Sequence, residues 1–313
     1  MAKKIGLLFA GQGAQVVGMG KDLADEFPVA FGLFEKADAI LGWALSDIAW
    51  DGPLEELTKT SKCQPALFVH GLAALAVLRD IAGNFAIEAA AGLSLGEITA
   101  HAAAGTFAFE NGLRLVQKRG ELMEEACAAT NGAMAAMIGA NEASARALAA
   151  AADVDVANIN SPGQIVLSGD RAKIEMAVLL AKEHGIRRAT LLNVAGAYHS
   201  RLMDSAYEKF GAALLEVEIR APDFPVFSNV TGEPAKTLPE IRRTLQEQVT
   251  STVRWADCME RMLARGCDFF IELGPGGVLA GLMQRTHKGA AVMSVSDVAS
   301  ARACAARLHA TAD

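Results

Sequence analysis

A serine between two glycines is the residue of this chain best suited to nucleophilic chemistry. It is Ser94, in the segment G-L-S-L-G at residues 92–96. In the pattern G-x-S-x-G, small residues allow a tight turn from a strand into a helix and leave the serine hydroxyl exposed. The hydroxyl then lies near the positive end of the helix, and the backbone N–H of Leu95 points towards an oxyanion formed when Ser94 attacks a carbonyl. The pattern is short and the chain has 29 glycines, so an ordinary glycine-flanked helix N-cap is the alternative.

A nucleophilic serine needs a neighbouring base, which is usually a histidine. His199 follows a predicted buried strand in a loop, which makes it the best candidate, with an ordinary surface histidine as the alternative. The other five have simpler explanations, because they lie in apolar helical segments, near helix ends or near the C-terminus, where packed or solvated histidines are common. These five are His70, His101, His184, His287 and His309.

Two further features could complete an acyl-transfer site. The loop G-Q-G at residues 11–13 follows the first predicted strand. It does not match G-x-G-x-x-G and no G-K-S/T follows, so a second oxyanion N–H donor is favoured over a nucleotide loop. Arg119 is predicted on the helix after the one that leaves Ser94. If it points inward, its planar guanidinium would clamp a carboxylate; a solvated surface arginine is the alternative.

The composition excludes several other functions. The chain has 313 residues, 52% of them apolar and 21% charged, which predicts a large buried core. A net charge of −7 disfavours nucleic-acid and membrane surfaces. Five scattered cysteines, without C-x-x-C or a histidine cluster, predict free thiols in the cytoplasm and no metal site. The basic and apolar start is interpreted as a first strand because no cleavage region follows, and no uninterrupted apolar run approaches membrane-spanning length.

The elements that must position these residues alternate along the chain. The continuously apolar run at residues 5–9 and the mostly apolar runs at 85–91 and 269–273 predict strands covered on both faces. Helices are predicted between them, so the pattern is that of an α/β fold with a mostly parallel sheet. Over residues 133–194 the predicted order changes to β-α-β-β-α-β, the order of a ferredoxin-like unit. A small inserted domain is therefore expected.

Eight short motifs follow one another over nearly the whole chain. They are G-Q-G-A-Q at 11–15, Q-P-A at 64–66, G-L-S-L-G-E at 92–97, R-G at 119–120, G-A-M-A-A at 132–136, N-S-P-G-Q at 160–164, Y-H-S-R-L-M at 198–203 and E-L-G-P-G at 272–276. Each motif is weak alone, but the ordered set is specific, and it resembles the malonyl-CoA:acyl carrier protein transacylases of bacterial fatty-acid synthesis. The resemblance implies an α/β-hydrolase-like acyltransferase domain from residues 1–127 and 197–313, with a ferredoxin-like subdomain at residues 128–196.

The resemblance also implies the catalytic roles. Ser94 would carry the malonyl group as an ester, and His199 would activate Ser94 and later protonate the departing thiolate. The backbone N–H groups of Gln12 and Leu95 would form the oxyanion hole. Gln248 matches the glutamine that helps to orient the histidine, where serine hydrolases use an acid.

The same resemblance implies how the substrate is held. Arg119 would bind the malonyl carboxylate in a two-pronged ion pair, which selects a dicarboxylic acyl group over acetyl. Gln164 and Arg188 match positions that line the thioester cleft. Tyr198 stands where the family often has a bulky aromatic, which would favour malonyl over methylmalonyl.

The implied reaction moves malonyl from malonyl-CoA to the phosphopantetheine thiol of acyl carrier protein. It needs no cofactor of the enzyme, no metal, no nucleic acid and no membrane, and a cytoplasmic monomer is expected. Because the carrier of this pathway is acidic, a local basic patch should receive it. The candidates for this patch are Lys182, Arg187, Arg188, Arg285 and Lys288.

Three positions depart from the family pattern. Leu93 stands where many members have histidine, which removes a polar neighbour of Ser94 but leaves the turn intact. Ala10 and Thr252 replace prolines, which should loosen two loops slightly.

Two rival functions remain open: a hydrolase that uses the same serine, and a docking subunit without turnover. An H-G-G-G-type oxyanion loop and an acid partner for His199 are missing, which disfavours the hydrolase.

Overall fold

The computed structural model describes residues 3–310, which form two β-sheets and the helices around them. The strands are β1 (Ile5–Phe9), β2 (Ile87–Gly92), β3 (Gly132–Ile138), β4 (Asp155–Ser161), β5 (Gln164–Asp170), β6 (Arg188–Leu191), β7 (Val226–Phe227), β8 (Phe269–Leu273) and β9 (Ala291–Val295). The helices are α1 (Lys21–Glu26), α2 (Pro28–Leu41), α3 (Leu45–Asp51), α4 (Leu54–Thr58), α5 (Thr60–Ala82), α6 (Leu95–Ala103), α7 (Phe109–Ala129), α8 (Glu142–Ala152), α9 (Arg171–Leu180), α10 (Asp204–Glu216), α11 (Leu238–Glu247), α12 (Trp255–Ala264), α13 (Val278–Thr286) and α14 (Val298–His309).

The larger sheet is parallel throughout and has the strand order β7-β2-β1-β8-β9. Every residue of β1 and β8 is buried, because helices cover both faces of the sheet. This explains why β1 is continuously apolar in sequence and why β8 is apolar except at Glu272. The order places the C-terminal ends of β1 and β2 side by side, so the loop after β1 and the turn after β2 meet at one edge of the sheet. Ligands of open parallel sheets bind at such an edge.

The smaller sheet is antiparallel and has the order β4-β5-β3-β6. Its strands and helices follow one another as β-α-β-β-α-β, and α8 and α9 pack on one side with an apolar core of their own. The predicted fold class, a mostly parallel α/β body with an inserted ferredoxin-like unit, is therefore confirmed. The elements of this sheet run from Gly132 to Leu191, within the range 128–196. The division of the chain into domains at residues 128 and 196 stays a prediction.

Helix α5 is a central element of the core. Its 23 residues are long and apolar enough to span a membrane by length and composition, although polar residues such as His70 interrupt the apolar run. In the fold, 67% of its most apolar stretch is buried, and the helix packs against α2, α7 and α14. Its apolar character is accounted for by this packing.

Several element boundaries differ from the prediction. The last strand and helix, β9 and α14, carry weaker apolar patterns and were not predicted; β9 completes the parallel sheet beside β8. The predicted strand at 188–194 ends at Leu191, and one further bond, from Leu192 N to Met134 O of β3 at 2.9 Å, follows it. Helix α9 ends at Leu180 rather than at residue 183, and the chain then turns through Gly185, whose φ is +72°.

Candidate active site

Ser94 lies at the turn between β2 and α6, as the glycine pattern predicts. Its backbone has φ 55° and ψ −111°, a strained conformation for a residue with a side chain. The flanking glycines are required by close packing. A Cβ at Gly92 would overlap the carbonyl of Gly96, and a Cβ at Gly96 would overlap the carbonyl of Phe9 at the end of β1. The turn is thus pressed against the neighbouring strand, and the serine side chain projects from it.

The imidazole of His199 lies next to the serine hydroxyl. Its Nε2 is 2.8 Å from Ser94 Oγ, and its Nδ1 is 2.8 Å from the backbone carbonyl oxygen of Gln248. A carbonyl oxygen can only accept, so Nδ1 carries the proton and Nε2 accepts from the serine hydroxyl. This is the tautomer that a general base requires. Gln248 therefore contacts the histidine through its main chain and not through its side chain.

Arg119 points inward from α7, and its guanidinium also contacts the hydroxyl of Ser94. Its Nη2 donates to Ser94 Oγ at 3.0 Å and to Gln248 Oε1 at 2.9 Å, and its Nη1 donates to Gln64 Oε1 at 2.9 Å. The side chain is 1% exposed. Within residues 3–310 its charge has no carboxylate at ion-pair distance, and its Nε–H has no partner. The charge of the buried Glu97 carboxyl acts on the guanidinium without a direct contact. A buried cation with no adjacent anion is costly unless a ligand supplies one, so the site is suited to a carboxylate.

Electrostatics keep the histidine neutral. Burial of the ring and the nearby charge of Arg119 lower the pKa of His199 to about 4, while the hydrogen bond to Gln248 acts in the opposite direction. Burial also lowers the pKa of Arg119, to about 10, so the guanidinium remains charged at neutral pH. The site thus combines an uncharged base with a fixed cation.

A buried hydrogen-bond network behind Ser94 holds the turn in place. The side chain of Asn229 accepts from Ser94 N at 2.7 Å and donates to Gly92 O at 2.9 Å. Gln248 Nε2 donates to Ser94 O at 3.0 Å and to the Glu97 carboxyl at 2.5 Å, and this carboxyl also accepts from Asn229 N. Burial raises the pKa of Glu97 to about 7. Asn229 and Gln248 thus hold the backbone of the strained turn, and the Glu97 carboxyl holds both of them.

Sequence reasoning assigned no role to three residues of this site. Gln64 and Glu97 lie inside quoted motifs, and a polar residue in an otherwise buried helix was a usable signal for both. Asn229 follows a two-residue strand and has no neighbouring pattern, so nothing in the sequence pointed to it.

The two predicted oxyanion donors lie in neighbouring segments, Gln12 in the loop after β1 and Leu95 at the start of α6. Leu93 N donates to Phe9 O at 3.1 Å, which joins the serine turn to the end of β1 just before the loop that contains Gln12. Leu95 is the first residue of α6, where a backbone N–H has no helical carbonyl to bond. Gln12 lines the cleft in front of Ser94, and its side chain donates to Tyr198 Oη at 3.4 Å. The oxyanion roles stay predictions.

A cleft of about 490 Å³ opens in front of Ser94 and His199, between the two sheets. Gln164 lines it and accepts a hydrogen bond from Arg285 of α13. Arg188 is not among the lining residues and is exposed. Both Gln164 and Arg188 lie opposite Ile138 of β3, so their side chains share one face of the small sheet, two strand spacings or about 10 Å apart. Arg188 is thus placed outside the cleft on the same face.

Two of the three departures from the family pattern form hydrogen bonds. Thr252 Oγ1 donates to Val156 O at 2.6 Å and so ties its loop to β4; the slight loosening relative to proline stays a prediction. Ala10 N donates to Leu273 O at 3.4 Å, a bond that proline could not form. Leu93 is half-buried in the cleft wall, and its carbonyl still accepts from Gly96 N at the turn, as the prediction requires.

The low pKa of His199 predicts a neutral ring over the range in which an unperturbed histidine, with a pKa of about 6.5, becomes charged. An NMR titration, with the signal assigned by its loss in His199→Gln, should show no protonation of this ring between about pH 5.5 and 7.5. Because the Arg119 charge contributes to the lowering, Arg119→Met should raise the pKa. A wild-type signal that titrates near pH 6.5 would contradict this prediction.

Comparison with known proteins agrees with this geometry. A family model described as the acyl transferase domain matches residues 7–306. A malonyl CoA-acyl carrier protein transacylase of Bacillus subtilis is 41% identical over 302 residues, which are 94% of this chain and 94% of that protein.

Two solved structures extend the comparison to the whole fold. An acyl-carrier-protein S-malonyltransferase from Bartonella henselae has a TM-score of 0.94 at 37% identity, covering 98% of this chain and 99% of that one. A malonyl-transacylase in complex with a type II PKS acyl-carrier protein has a TM-score of 0.93 at 37% identity, covering 97% and 99%. The chain therefore belongs to the acyl transferase domain family, among the malonyl-CoA:acyl carrier protein transacylases.

Proposed function

We propose that this acyltransferase moves a malonyl group from malonyl-CoA to the phosphopantetheine thiol of an acyl carrier protein, through an ester on Ser94, and so supplies malonyl carrier protein for fatty-acid elongation. The observation that carries the proposal is the meeting of three groups at one atom: Ser94 Oγ contacts both His199 Nε2 and Arg119 Nη2. These supply a nucleophile, a base and a cation for the substrate carboxylate. The names of the similar proteins support the malonyl group and the carrier protein as the reaction partners.

In the first half-reaction, Ser94 Oγ attacks the thioester carbonyl carbon of malonyl-CoA. His199 Nε2 takes the hydroxyl proton, and the oxyanion accepts hydrogen bonds from the backbone N–H groups of Gln12 and Leu95. The carbon–sulfur bond then breaks, and His199 gives the proton to the CoA thiolate. The malonyl carboxylate pairs with Arg119, which orders the acyl group while the ester persists.

In the second half-reaction, the phosphopantetheine thiol of the carrier protein enters the same cleft. His199 takes its proton as the sulfur attacks the ester carbonyl, and the proton passes to Ser94 Oγ when the ester bond breaks. Each half-reaction thus returns the histidine to its neutral form. A neutral base next to a fixed cation suits both steps, because neither needs the imidazole to be charged at the start.

Transfer is favoured over hydrolysis and over a docking role without turnover. The second nitrogen of His199 bonds the Gln248 carbonyl at 2.8 Å, where serine hydrolases place a carboxylate. The docking role rested on Leu93, yet the contact between Ser94 and His199 is complete in its presence. The geometry therefore supports a working nucleophile and an acceptor other than water.

The rim of the cleft is suited to an acidic carrier protein. Arg285 bonds Gln164 at the opening, and Arg188 lies on the same face of the small sheet. The edge strand β6 next to it exposes Leu191, and Leu192 follows in the cleft wall, so apolar and basic groups adjoin. We propose that this rim, with the exposed side chains of Lys182 and Arg187, receives the carrier.

The remaining expectations are proposed on the following grounds. The proposed steps use residues of one chain, so a monomer is sufficient for the reaction. The five cysteines are free and buried, which suits a reducing cytoplasm. Within residues 3–310, no group of three His, Cys, Asp or Glu side chains is placed to hold a metal ion. The steps above use only the side chains of the chain and the two thiols, so no cofactor of the enzyme is invoked.

The proposal is tested by intact-protein mass spectrometry. Brief exposure to malonyl-CoA should add one malonyl group to the protein, and addition of acyl carrier protein should remove it and produce malonyl carrier protein. Ser94→Ala should show neither step, because the ester has no oxygen to form on, while it keeps the fold. His287→Ala, a change at an exposed histidine outside the site, is the matched control and should behave like the wild type.

Three outcomes would overturn the proposal. A malonyl adduct that persists in Ser94→Ala would place the nucleophile elsewhere. Release of free malonate at the same rate with and without carrier protein would identify a hydrolase. Failure of the folded wild type to form any adduct would favour the docking subunit.

A further inference from the structure

Both partners of the hydrogen bond that orients His199 are attached to a single strand, β4. His199 lies two residues before Arg201, which bonds the start of β4. Gln248 lies five residues before Val253, which pairs with the middle of β4. The strand belongs to the small sheet, whereas Ser94 belongs to the large one. The base and its acceptor therefore share an anchor that is separate from the nucleophile.

Arg201 is held by an unusually complete set of contacts. Its backbone N–H donates to Asp155 Oδ2 at 2.9 Å, its Nε donates to the same oxygen at 3.0 Å, and its Nη2 donates to Asp155 Oδ1 at 2.7 Å. Nη1 donates to Asp153 Oδ1 at 2.8 Å, and Lys173 bonds the other oxygen of Asp153. Single exposed ion pairs contribute little, but a bidentate guanidinium–carboxylate pair within a network fixes geometry.

The loop that carries Gln248 is attached one to four residues further along the same strand. Val253 N donates to Ala157 O at 2.8 Å, and Ile159 N donates to Val253 O at 2.9 Å. Thr252 Oγ1 donates to Val156 O at 2.6 Å. Through these bonds, a short segment of the large domain pairs with β4, whose outer edge is otherwise free to accept another strand. They fix the position of the Gln248 loop along β4 relative to Asp155.

We propose that Arg201 is a positioning residue for the transfer reaction: its clamp on Asp155 holds the His199 loop on β4 in register with the loop that carries the Gln248 carbonyl. The argument is geometric. His199 has φ 56°, a left-handed conformation that a non-glycine residue keeps only when its surroundings hold it. After His199 in sequence, the first ion pair that anchors the chain is the one between Arg201 and Asp155. Without that tie the imidazole can shift relative to Ser94, and a displacement of about 1 Å is enough to lower a rate on the order of a hundredfold.

The inference rests on the proposed role of His199 as the base, and it predicts a specific kinetic pattern. Arg201→Ala should lower the rates of both half-reactions by about the same factor, roughly tenfold, because the histidine acts in both. The dissociation constant for malonyl-CoA, measured in a Ser94→Ala background to prevent reaction, should not change, since Arg201 does not line the cleft. Rates are measured by rapid quench with malonyl-CoA and with carrier protein.

A graded series of variants tests the contacts themselves. Arg201→Lys keeps the charge but loses the fork of donors, so its rate should fall between those of wild type and Arg201→Ala. Asp155→Ala also removes the acceptor of the backbone N–H, so its loss should exceed that of Arg201→Ala. Arg220→Ala is the matched control, because Arg220 is exposed and also bonds a carboxylate, that of Glu218, through two nitrogens. It should transfer malonyl at the wild-type rate.

The results that would overturn this inference are distinct from those that would overturn the function. A folded Arg201→Ala protein with unchanged rates in both half-reactions would refute the positioning role. A loss confined to the carrier-protein step, or a weaker dissociation constant for malonyl-CoA, would make Arg201 a binding residue instead. An equal loss of rate in Arg220→Ala would show that the effect comes from the removal of a surface charge and not from the position of Arg201. Failure of the wild type in the same assay would instead refute the proposed transfer.

Discussion

Replacing His199 by alanine is expected to lower malonyl transfer by several orders of magnitude while the protein remains folded. In other enzymes with a serine nucleophile, loss of the histidine lowers kcat by about 10⁶-fold, and the oxyanion hole and substrate binding leave a residual rate. Here the effect should reach both half-reactions, because the same Nε2 atom, 2.8 Å from Ser94 Oγ, handles the proton in each.

The neighbouring Arg119 does not replace the lost base. Its Nη2 donates to Ser94 Oγ at 3.0 Å, and a guanidinium that stays charged cannot take the hydroxyl proton. It can stabilise a serine alkoxide, which predicts that the residual rate of His199→Ala rises with pH. The ring is 4% exposed and its removal leaves the Gln248 carbonyl without its donor, so a modest loss of stability is expected beside the loss of rate.

The measurement is the rate of adduct formation by rapid quench, with the thermal unfolding midpoint recorded in parallel. His287→Ala serves as the control, since that histidine is exposed and makes no contact with Ser94, His199 or Arg119. Normal turnover in His199→Ala would remove this residue from the mechanism, and a rate loss explained by unfolding would be visible in the midpoint.

The second large effect is expected on substrate choice when Arg119 is changed. Arg119→Ala should lower kcat/KM for malonyl-CoA by about a hundredfold, which corresponds to about 3 kcal/mol for a buried, charge-assisted carboxylate pair. For acetyl-CoA the loss of kcat/KM should be much smaller, because the acetyl methyl group makes no ion pair with Arg119 and only the contact of the guanidinium with Ser94 Oγ is lost. The ratio of the two values is therefore the informative quantity.

Two neutral amides explain why this cation can discriminate. Gln64 and Gln248 each accept from Arg119 at 2.9 Å through Oε1, so they fix the guanidinium without neutralising its charge. Arg119→Lys keeps the charge but not the planar donors, and its loss should be smaller than that of alanine but still large. A Gln64→Leu control, which removes one amide and keeps the cation, should retain the preference for malonyl. Unchanged selectivity in Arg119→Ala would show that this charge does not read the substrate.

Sequence reasoning could predict the local parts of this protein. The glycines at 92 and 96 imposed the turn at Ser94, and the apolar runs of β1 and β8, the latter interrupted only by Glu272, indicated a sheet covered on both faces. The order β-α-β-β-α-β announced the small antiparallel sheet. These features depend on residues within a few positions of one another, where chain geometry leaves few choices. The family motifs added candidate residues, though not their contacts.

The meeting of those candidates was decided by tertiary structure alone. Ser94, Arg119 and His199 come from the end of β2, the middle of α7 and the loop after β6, and they meet because β2 lies beside β1 and the small sheet folds over that edge. No local pattern could show that Arg119 points inward, or that the main chain of Gln248, and not its side chain, bonds the histidine.

The same limit applies to the supporting groups. Asn229 and the Arg201–Asp155 pair are polar residues in short or exposed segments, and in sequence they look like many surface residues. Their importance arises from partners 135 and 46 positions away. Local sequence determines which elements form and where a turn is strained, because those preferences act over a few bonds. Which side chains then share a buried hydrogen bond depends on the packing of whole elements, and the sequence determines that only through the complete fold.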